Sequence, residues 1–273
     1  MTPLAGIRVV NLAVNLPGPA AARRLQLLGA SVVKIEPPAG DPMELYHAGW
    51  YRDMSKDQQV VKLDLKSAEG RETLAGLFTV ADLLISATRP AAMERLGLGW
   101  NELHGKYPRL CQVAITGYPA PRENEAGHDL TYQASLGLLT PPHMPRTLMA
   151  DMAGAEQTLS ASLELLLRRE RCKESGYTEV ALSTAAEWMA EPLRYGCTAE
   201  GAILGGGIPE YNVFKALDGW VAVAALEPHF KKRLEDNLQI SSAAGYEAVF
   251  QTKKAADWEK WGQELDVPVV AVK

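Results

Sequence analysis

The sequence predicts an α/β fold: a large domain built on a parallel β-sheet over residues 1–199, followed by a smaller α+β domain over residues 200–273. Three observations predict it. Short β-branched runs alternate with helical stretches through the first part of the chain, and parallel neighbours need crossover helices of that kind. A long helical pattern from Met152 to Arg169 is followed by a return strand. Beyond about Glu200 the signals become those of antiparallel hairpins.

Taken in order, Ile7 to Leu12 reads as a strand, and Pro17-Gly18-Pro19 breaks the chain after it. Ala20 to Leu28 is helical, with Leu25 and Leu28 on one face and Gly29 as a left-handed stop. Ser31 to Ile35 is the next strand, closed by Pro37-Pro38 and Gly40. Val60 to Asp64 resembles a third, and Ser67 caps a helix running to about Thr79. Asp82 to Ile85 is a strand, Pro90 opens a short helix ending near Gly97, and Leu110 to Thr116 is another strand. In the long helix, Leu159, Leu163, Leu166 and Leu167 recur at helical spacing, and Arg168, Arg169 and Arg171 suit its C-terminus. Thr178 to Leu182 returns as a strand. Tyr211–Phe214 and Trp220–Ala224 flank Asp218-Gly219, a good hairpin turn pair. The layout is a Rossmann-like parallel sheet covered on both faces.

Composition narrows the function. With 273 residues the chain buries enough surface to need no disulfide or metal staple. Hydrophobic residues are 47% and charged residues 22%, which argues against disorder. The 28 basic and 33 acidic side chains give a net charge of −5, without the basic footprint of a nucleic-acid binder. No apolar run is long enough to span a bilayer, and the amino terminus shows no secretory signal. Cys111, Cys172 and Cys197 lie far apart without metal-ligand spacing and read as reduced thiols. A cytoplasmic enzyme is expected, with no bound metal.

No Gly-x-Gly-x-x-Gly, Walker, His-Glu-x-x-His or Gly-x-Ser-x-Gly motif is present. Three polar spots remain. His128, in Gly127-His128-Asp129, is either a general base at a helix start or a surface imidazole beside a helix-dipole partner. Asp151, entering the long helix among apolar neighbours, is either a helix cap or a tuned acid or nucleophile. Gly205-Gly206-Gly207 gives a mobile loop over a ligand or a linker, and Glu227 past a strand either orients a His or is solvated.

In combination these pieces resemble the family III CoA-transferase superfamily (CaiB/BaiF-like proteins), which includes the α-methylacyl-CoA racemases. The resemblance runs through Pro17-Gly18-Pro19, Gly29 to Glu36, Leu63-Asp64-Leu65-Lys66-Ser67 and Arg89-Pro90 before Arg95 to Gly99. It continues through Ile115 to Tyr118, Gly127 to Tyr132, Ala150 to Gly154, Gly206-Gly207 with Pro209 and Tyr211, Asp218-Gly219, and Leu226-Glu227-Pro228 with Phe230. The Gly-His-Asp and Leu-Glu-Pro stretches are closest to the racemase branch.

The resemblance implies an acyl-CoA substrate and no cofactor beyond CoA itself. On the racemase reading, His128 and Asp151 flank the α-carbon of a 2-methylacyl-CoA, one removing its proton and the other returning one through an enolate. Glu227 supports the His, and N–H groups at the start of the long helix supply a donor for the enolate oxygen. On the transferase reading, Asp151 attacks the thioester and carries the acyl group, then CoA, to a carboxylic acid. A third reading is a degenerate CoA-ester binding subunit. Arg89 is expected to meet CoA phosphate, and the chain around Val61 to lie near the nucleotide end. Departures from the family pattern include Thr147 in place of an Asn, Ala155 in place of a Gly, whose methyl would crowd the thioester, and Pro37 in place of an Arg. The family's C-terminal return segment is read as absent. The expected assembly is a homodimer, interlocked or altered, or a pairing with a partner subunit, without nucleic acid or membrane.

Overall fold

A computed structural model describes residues 2–240 and 242–273. It divides into two compact units, Met1–Met189 and Ala190–Lys273. The division falls at Met189 rather than 199, because the chain passes straight from the last strand of the parallel sheet into helix Leu182–Met189 and leaves the first unit there.

The first unit holds a six-stranded sheet. Its strands are β1 (Arg8–Asn11), β2 (Ser31–Glu36), β3 (Gln59–Lys62), β4 (Leu83–Ser86), β5 (Cys111–Thr116) and β6 (Tyr177–Ala181). Every neighbouring pair is parallel, in the order β3-β2-β1-β4-β5-β6. The helices between them are α1 (Pro17–Leu27), α2 (Pro42–Ser55), α3 (Ala68–Phe78), α4 (Pro90–Arg95), α5 (Trp100–Lys106), α6 (Asp129–Ser135), α7 (Met149–Cys172) and α8 (Leu182–Met189). Val9, Ile85, Val113 and Ile115 pack beneath Leu25 of α1 and Leu159 and Leu165 of α7. On the other face Val10, Ile35 and Leu84 meet Leu74 and Phe78 of α3, Met93 of α4 and Leu103 of α5. Alternate side chains of each strand supply the two layers, as the period of two requires.

Three helices of the first unit fall where the sequence pattern predicts none: α2, α5 and α8. The signals for α2 are nonetheless local: the Asp41 carboxylate accepts the Met43 N–H at 2.9 Å, and Pro42 sits where a missing N–H costs nothing. Pro17-Gly18-Pro19 is not a break before α1 but its first turn, with Pro17 again at the opening position. At Gly29 the expected left-handed stop is present, with φ +105°.

The order of strands reverses at β1, which is flanked by β2 on one side and β4 on the other. Chains leaving the carboxyl ends of β1 and β4 therefore diverge to opposite faces and open a crevice between them, the usual ligand position of an open α/β sheet.

The second unit carries β7 (Tyr211–Lys215), β8 (Trp220–Ala224) and β9 (Val269–Ala271) as an antiparallel sheet in that order. It also holds the short helix α9 (Glu191–Arg194) and helices α10 (Pro228–Leu238), α11 (Ala243–Phe250) and α12 (Ala255–Leu265). Phe214, Val221, Val223, Tyr246, Phe250 and Trp258 form its core. The β7–β8 connection spans residues 216–219, and Asp218 accepts the Ala255 N–H at 2.8 Å, tying the turn to the start of α12. The glycines at 205–207 form one wide helical turn, Ile203–Gly207, in which a Cβ on Gly205 or Gly207 would run into the carbonyl oxygens of Ala199 or Gly201. Close backbone packing, not a linker, explains them.

Candidate active site

A cavity of about 360 Å³ opens at the crevice. The chain after β1 (Val14 to Pro17), the chain after β4 (Ala87, Arg89) and the end of β5 (Ile115 to Gly117) form one side. Gly127, His128 and Tyr132 around α6, with Leu148 and Asp151 at the start of α7, form the other.

The first of these segments is held by a buried ion cluster. Lys34, within β2, is 1% exposed and lies 2.6 Å from Asp41 and 3.0 Å from Glu36. Tyr51 donates its hydroxyl to Glu36 at 2.8 Å, and burial with the neighbouring Glu36 carboxylate pushes that phenol well above its ordinary range. Asp41 also accepts the Asn15 N–H at 2.9 Å, which fixes Asn15 in its left-handed conformation at φ 65°. One cluster thereby sets the β2 terminus, the start of α2 and the loop that lines the cavity.

His128 is the residue preceding α6, with extended backbone angles. Its N–H donates to the Thr131 hydroxyl at 3.1 Å, and that hydroxyl donates back to the His128 carbonyl at 2.7 Å. The imidazole is exposed and makes no hydrogen bond among the described residues. Asp129 is buried and turns the other way. Its Oδ1 accepts the N–H groups of Ala150 at 2.7 Å and Asp151 at 3.1 Å, and its Oδ2 accepts from Gln133 at 2.6 Å.

Asp129 therefore caps α7, not its own helix, and this separates the two roles the sequence left open for Asp151. Asp151 is not the cap: it stands in the first turn of α7, with its main chain held and its carboxyl half-buried in the cavity. Burial foremost, then the neighbouring Asp129 carboxylate, push that carboxyl up to about 6, while His128 pulls in the opposite direction. At the start of this helix the Ala150 and Asp151 N–H groups are already taken, whereas the Met149 N–H has no acceptor among the described residues. Among the described residues, the N–H groups of Asp129 and Leu130 at the opening of α6 have no acceptor.

Tyr132 is 1% exposed, with its hydroxyl wedged against Gly117 and Gly127; burial first, then Tyr118, Asp151 and Asp129, push the phenol to about 12. Nothing in its spacing marked it in advance. Ala155 lies inside α7 at 2% exposure and does not line the cavity, so its methyl leaves the site clear and mid-helix geometry asks for no glycine.

Arg89 precedes α4 and reaches the same cavity with an exposed side chain. Val61 is not in a loop but in β3, half-buried against the core layer over α3. A second cavity of about 430 Å³ lies beyond it, lined by Leu63, Pro37, Leu96 and Glu36 among others and meeting the first at Val14. Glu227 belongs to the second unit, where it precedes α10 with an exposed carboxylate that has no hydrogen bond among the described residues. Cys111 is buried, Cys172 and Cys197 are exposed, and all three are free thiols.

Comparison with known proteins matches the chain to a family. The alpha-methylacyl-CoA racemase of Mus musculus is 30% identical over 275 residues, covering 93% of this chain and 68% of the relative. The succinyl-CoA–D-citramalate CoA-transferase of Chloroflexus aurantiacus is 27% identical over 248 residues, covering 82% of this chain and 61% of its own length. A crystal structure of a hypothetical protein from Mycobacterium tuberculosis superposes with a TM-score of 0.84 at 24% identity, over 100% of this chain and 84% of that one, and shows the same fold. The family model described as CoA-transferase family III matches residues 4–273. With that match running almost end to end, and racemases and transferases alike among the relatives, the chain belongs to CoA-transferase family III and is an enzyme of that family, racemase-like or transferase.

Proposed function

We propose that the chain acts on an acyl-CoA thioester and moves the proton on the α-carbon of a 2-methylacyl group through an enolate. The observation that carries this reading is the joint lining of one cavity by His128 and Asp151, with the Asp151 carboxyl raised to about 6. A thioester α-proton is weakly acidic, so the step needs a base on one face, an acid on the other and a donor for the enolate oxygen. A carboxyl that titrates near neutrality serves as either acid or base, and an imidazole complements it. The unpaired N–H groups of Asp129 and Leu130 are the donors available beside His128.

In this reading Arg89 meets a CoA phosphate with its fork of donors. The cavity over Leu63 and Pro37, next to Val61, takes the nucleotide end. The reaction asks for no cofactor beyond CoA and no metal. The working unit is a homodimer or a pair with a partner subunit in the cytoplasm. Incubation with a 2-methylacyl-CoA in heavy water, followed by NMR, tests it: α-deuteration is expected, and a folded protein without it removes the proposal.

The second reading is CoA transfer with Asp151 as nucleophile, favoured by relatives named as succinyl-CoA transferases for citramalate, glutarate and mesaconate. It predicts a hydroxylamine-trappable acyl group on Asp151, lost in Asp151→Asn and retained in His128→Ala.

A further inference from the structure

We infer that a third cavity, between the β4–β5–β6 face and helices α4 and α5, is a separate ligand site that takes a small organic cation bearing N–H groups, an alkylammonium or a guanidinium. Strand register builds it. Ser86 of β4, Ala114 of β5 and Glu179 of β6 stand in one row across the sheet, with Gln112 and Tyr177 in the next. The period of two turns all five away from the layer that holds Val113 and Ile115. Helix α7, which joins β5 to β6, packs on that other layer. This face is met instead by α4 and the start of α5, across a space of about 420 Å³.

Two buried polar side chains line that space without a partner. Ser86 is 0% exposed and Gln112 is 3% exposed, and among the described residues neither Ser86 Oγ nor Gln112 Oε1 has a hydrogen bond. A buried acceptor is costly to leave without a donor, and the N–H groups of a ligand supply one.

Charge decides the sign of the ligand. Four glutamates, at 94, 102, 123 and 179, line the cavity, and no Lys, Arg or His does. Lys106 engages Glu102, whereas Glu94, Glu123 and Glu179 have no ion-pair partner among the described residues. Those three surround one hydroxyl: burial first, then Glu179, Glu123 and Glu94, hold the Tyr177 phenol above its ordinary range. The phosphates of an acyl-CoA are repelled by such a lining, so the site is distinct from the one proposed for the thioester, although Glu123 borders both cavities. Among the described residues no cluster of acid, imidazole or thiol groups converges closely enough to hold a metal ion, which favours an organic cation. Met93, Trp100 and Tyr177 supply the apolar wall for its methylene groups, with the Trp100 and Tyr177 rings stacked at 5.9 Å between centroids.

Agmatine, with an ammonium at one end and a guanidinium at the other, is the probe. Calorimetric titration into the full chain, followed in parallel by the Trp100 indole N–H resonance assigned through Trp100→Phe, is expected to saturate with a Kd below about 1 mM. Affinity should fall about tenfold in Gln112→Leu and in the double variant Glu94→Gln with Glu179→Gln. It should be unchanged in Asp151→Asn, whose carboxyl lies in the first cavity. Tetramethylammonium, a cation without N–H groups, should bind at least about tenfold more weakly than agmatine. A Kd above about 1 mM for agmatine, equal binding of tetramethylammonium, or binding lost in Asp151→Asn and kept in the double variant overturns the inference. If Gln112→Leu does not fold, the double variant decides, because Glu94 and Glu179 are exposed.

Discussion

Asp129 and Asp151 are bound and opposed at once: the carboxylate of one accepts the backbone N–H of the other at 3.1 Å and, after burial, is the second influence pushing the other's side chain toward neutrality. An attraction through the main chain and a repulsion through the side chain coexist in one pair. The energetic consequences are measurable in the absence of substrate.

Asp151→Asn is expected to stabilise the fold at pH 7 while abolishing turnover. The Asp151 pKa is raised from 3.8 to about 6 in the folded chain, so the folded state binds more protons than the unfolded one between those values. Wild-type stability therefore rises as pH is lowered from about 6 toward 4 on account of this group, and is diminished above that window. Removing the charge recovers about 1–3 kcal/mol at pH 7. Urea unfolding of both proteins at pH 7 and pH 5 checks it: the gap is expected to narrow at the lower pH.

The pH dependence of turnover distinguishes the two reactions. Proton exchange needs one proton shared between Asp151 and His128, because a doubly protonated pair has no base and a bare pair has no acid. The rate then falls on both sides of an optimum, with the acid limb set by the Asp151 group near 6. Acyl transfer needs only the ionised Asp151, so its rate rises through that limb and stays level where the other falls. Initial rates of α-deuteration and of CoA transfer across pH 4.5–9 separate the profiles.

Gly154→Ala is expected to displace the start of α7 against α8. The glycine lies one turn after Asp151, and a Cβ there would run into Cδ2 of Leu182. Overpacking of this kind costs about 1–3 kcal/mol. Adding Leu182→Ala makes room, so the double variant should melt above the sum of the single losses, a coupling that thermal unfolding of all four proteins reads directly.

Lys34→Ala leaves Glu36 and Asp41 buried without a cation and is expected to cost about 3–5 kcal/mol. Because Asp41 also anchors Asn15, the loss should reach the cavity wall and weaken substrate binding as well. Asp41→Asn in the same background relieves one charge. Partial recovery of the melting temperature without recovery of binding is the expected result.

The parallel sheet was legible because its strands are apolar runs between helices with ordinary caps: Ser67 accepts from Gly70 at the start of α3, where the sequence places it. Helix α2 was not. Its Leu45 and Tyr46 are 87% and 73% exposed, so the apolar pattern that betrays a buried helix face is missing. His128 and Asp151 were legible by resemblance and meet in one cavity. The partner of Asp151 was not, since Asp129 acts 22 residues along the chain, and a cap supplied from another helix leaves no local spacing to read.

The 24-residue length of α7 has a consequence of its own. Leu159, Leu165 and Leu166, further along the same helix, are seated under the centre of the sheet. The Asp151 carboxyl thus projects from the end of a rod clamped along most of its length, whereas the His128 imidazole sits at the entry of a seven-residue stub. Asp129 and Gln133 lash that stub to the rod, so the two side chains inherit a common footing and the gap between them should keep its width whatever enters it.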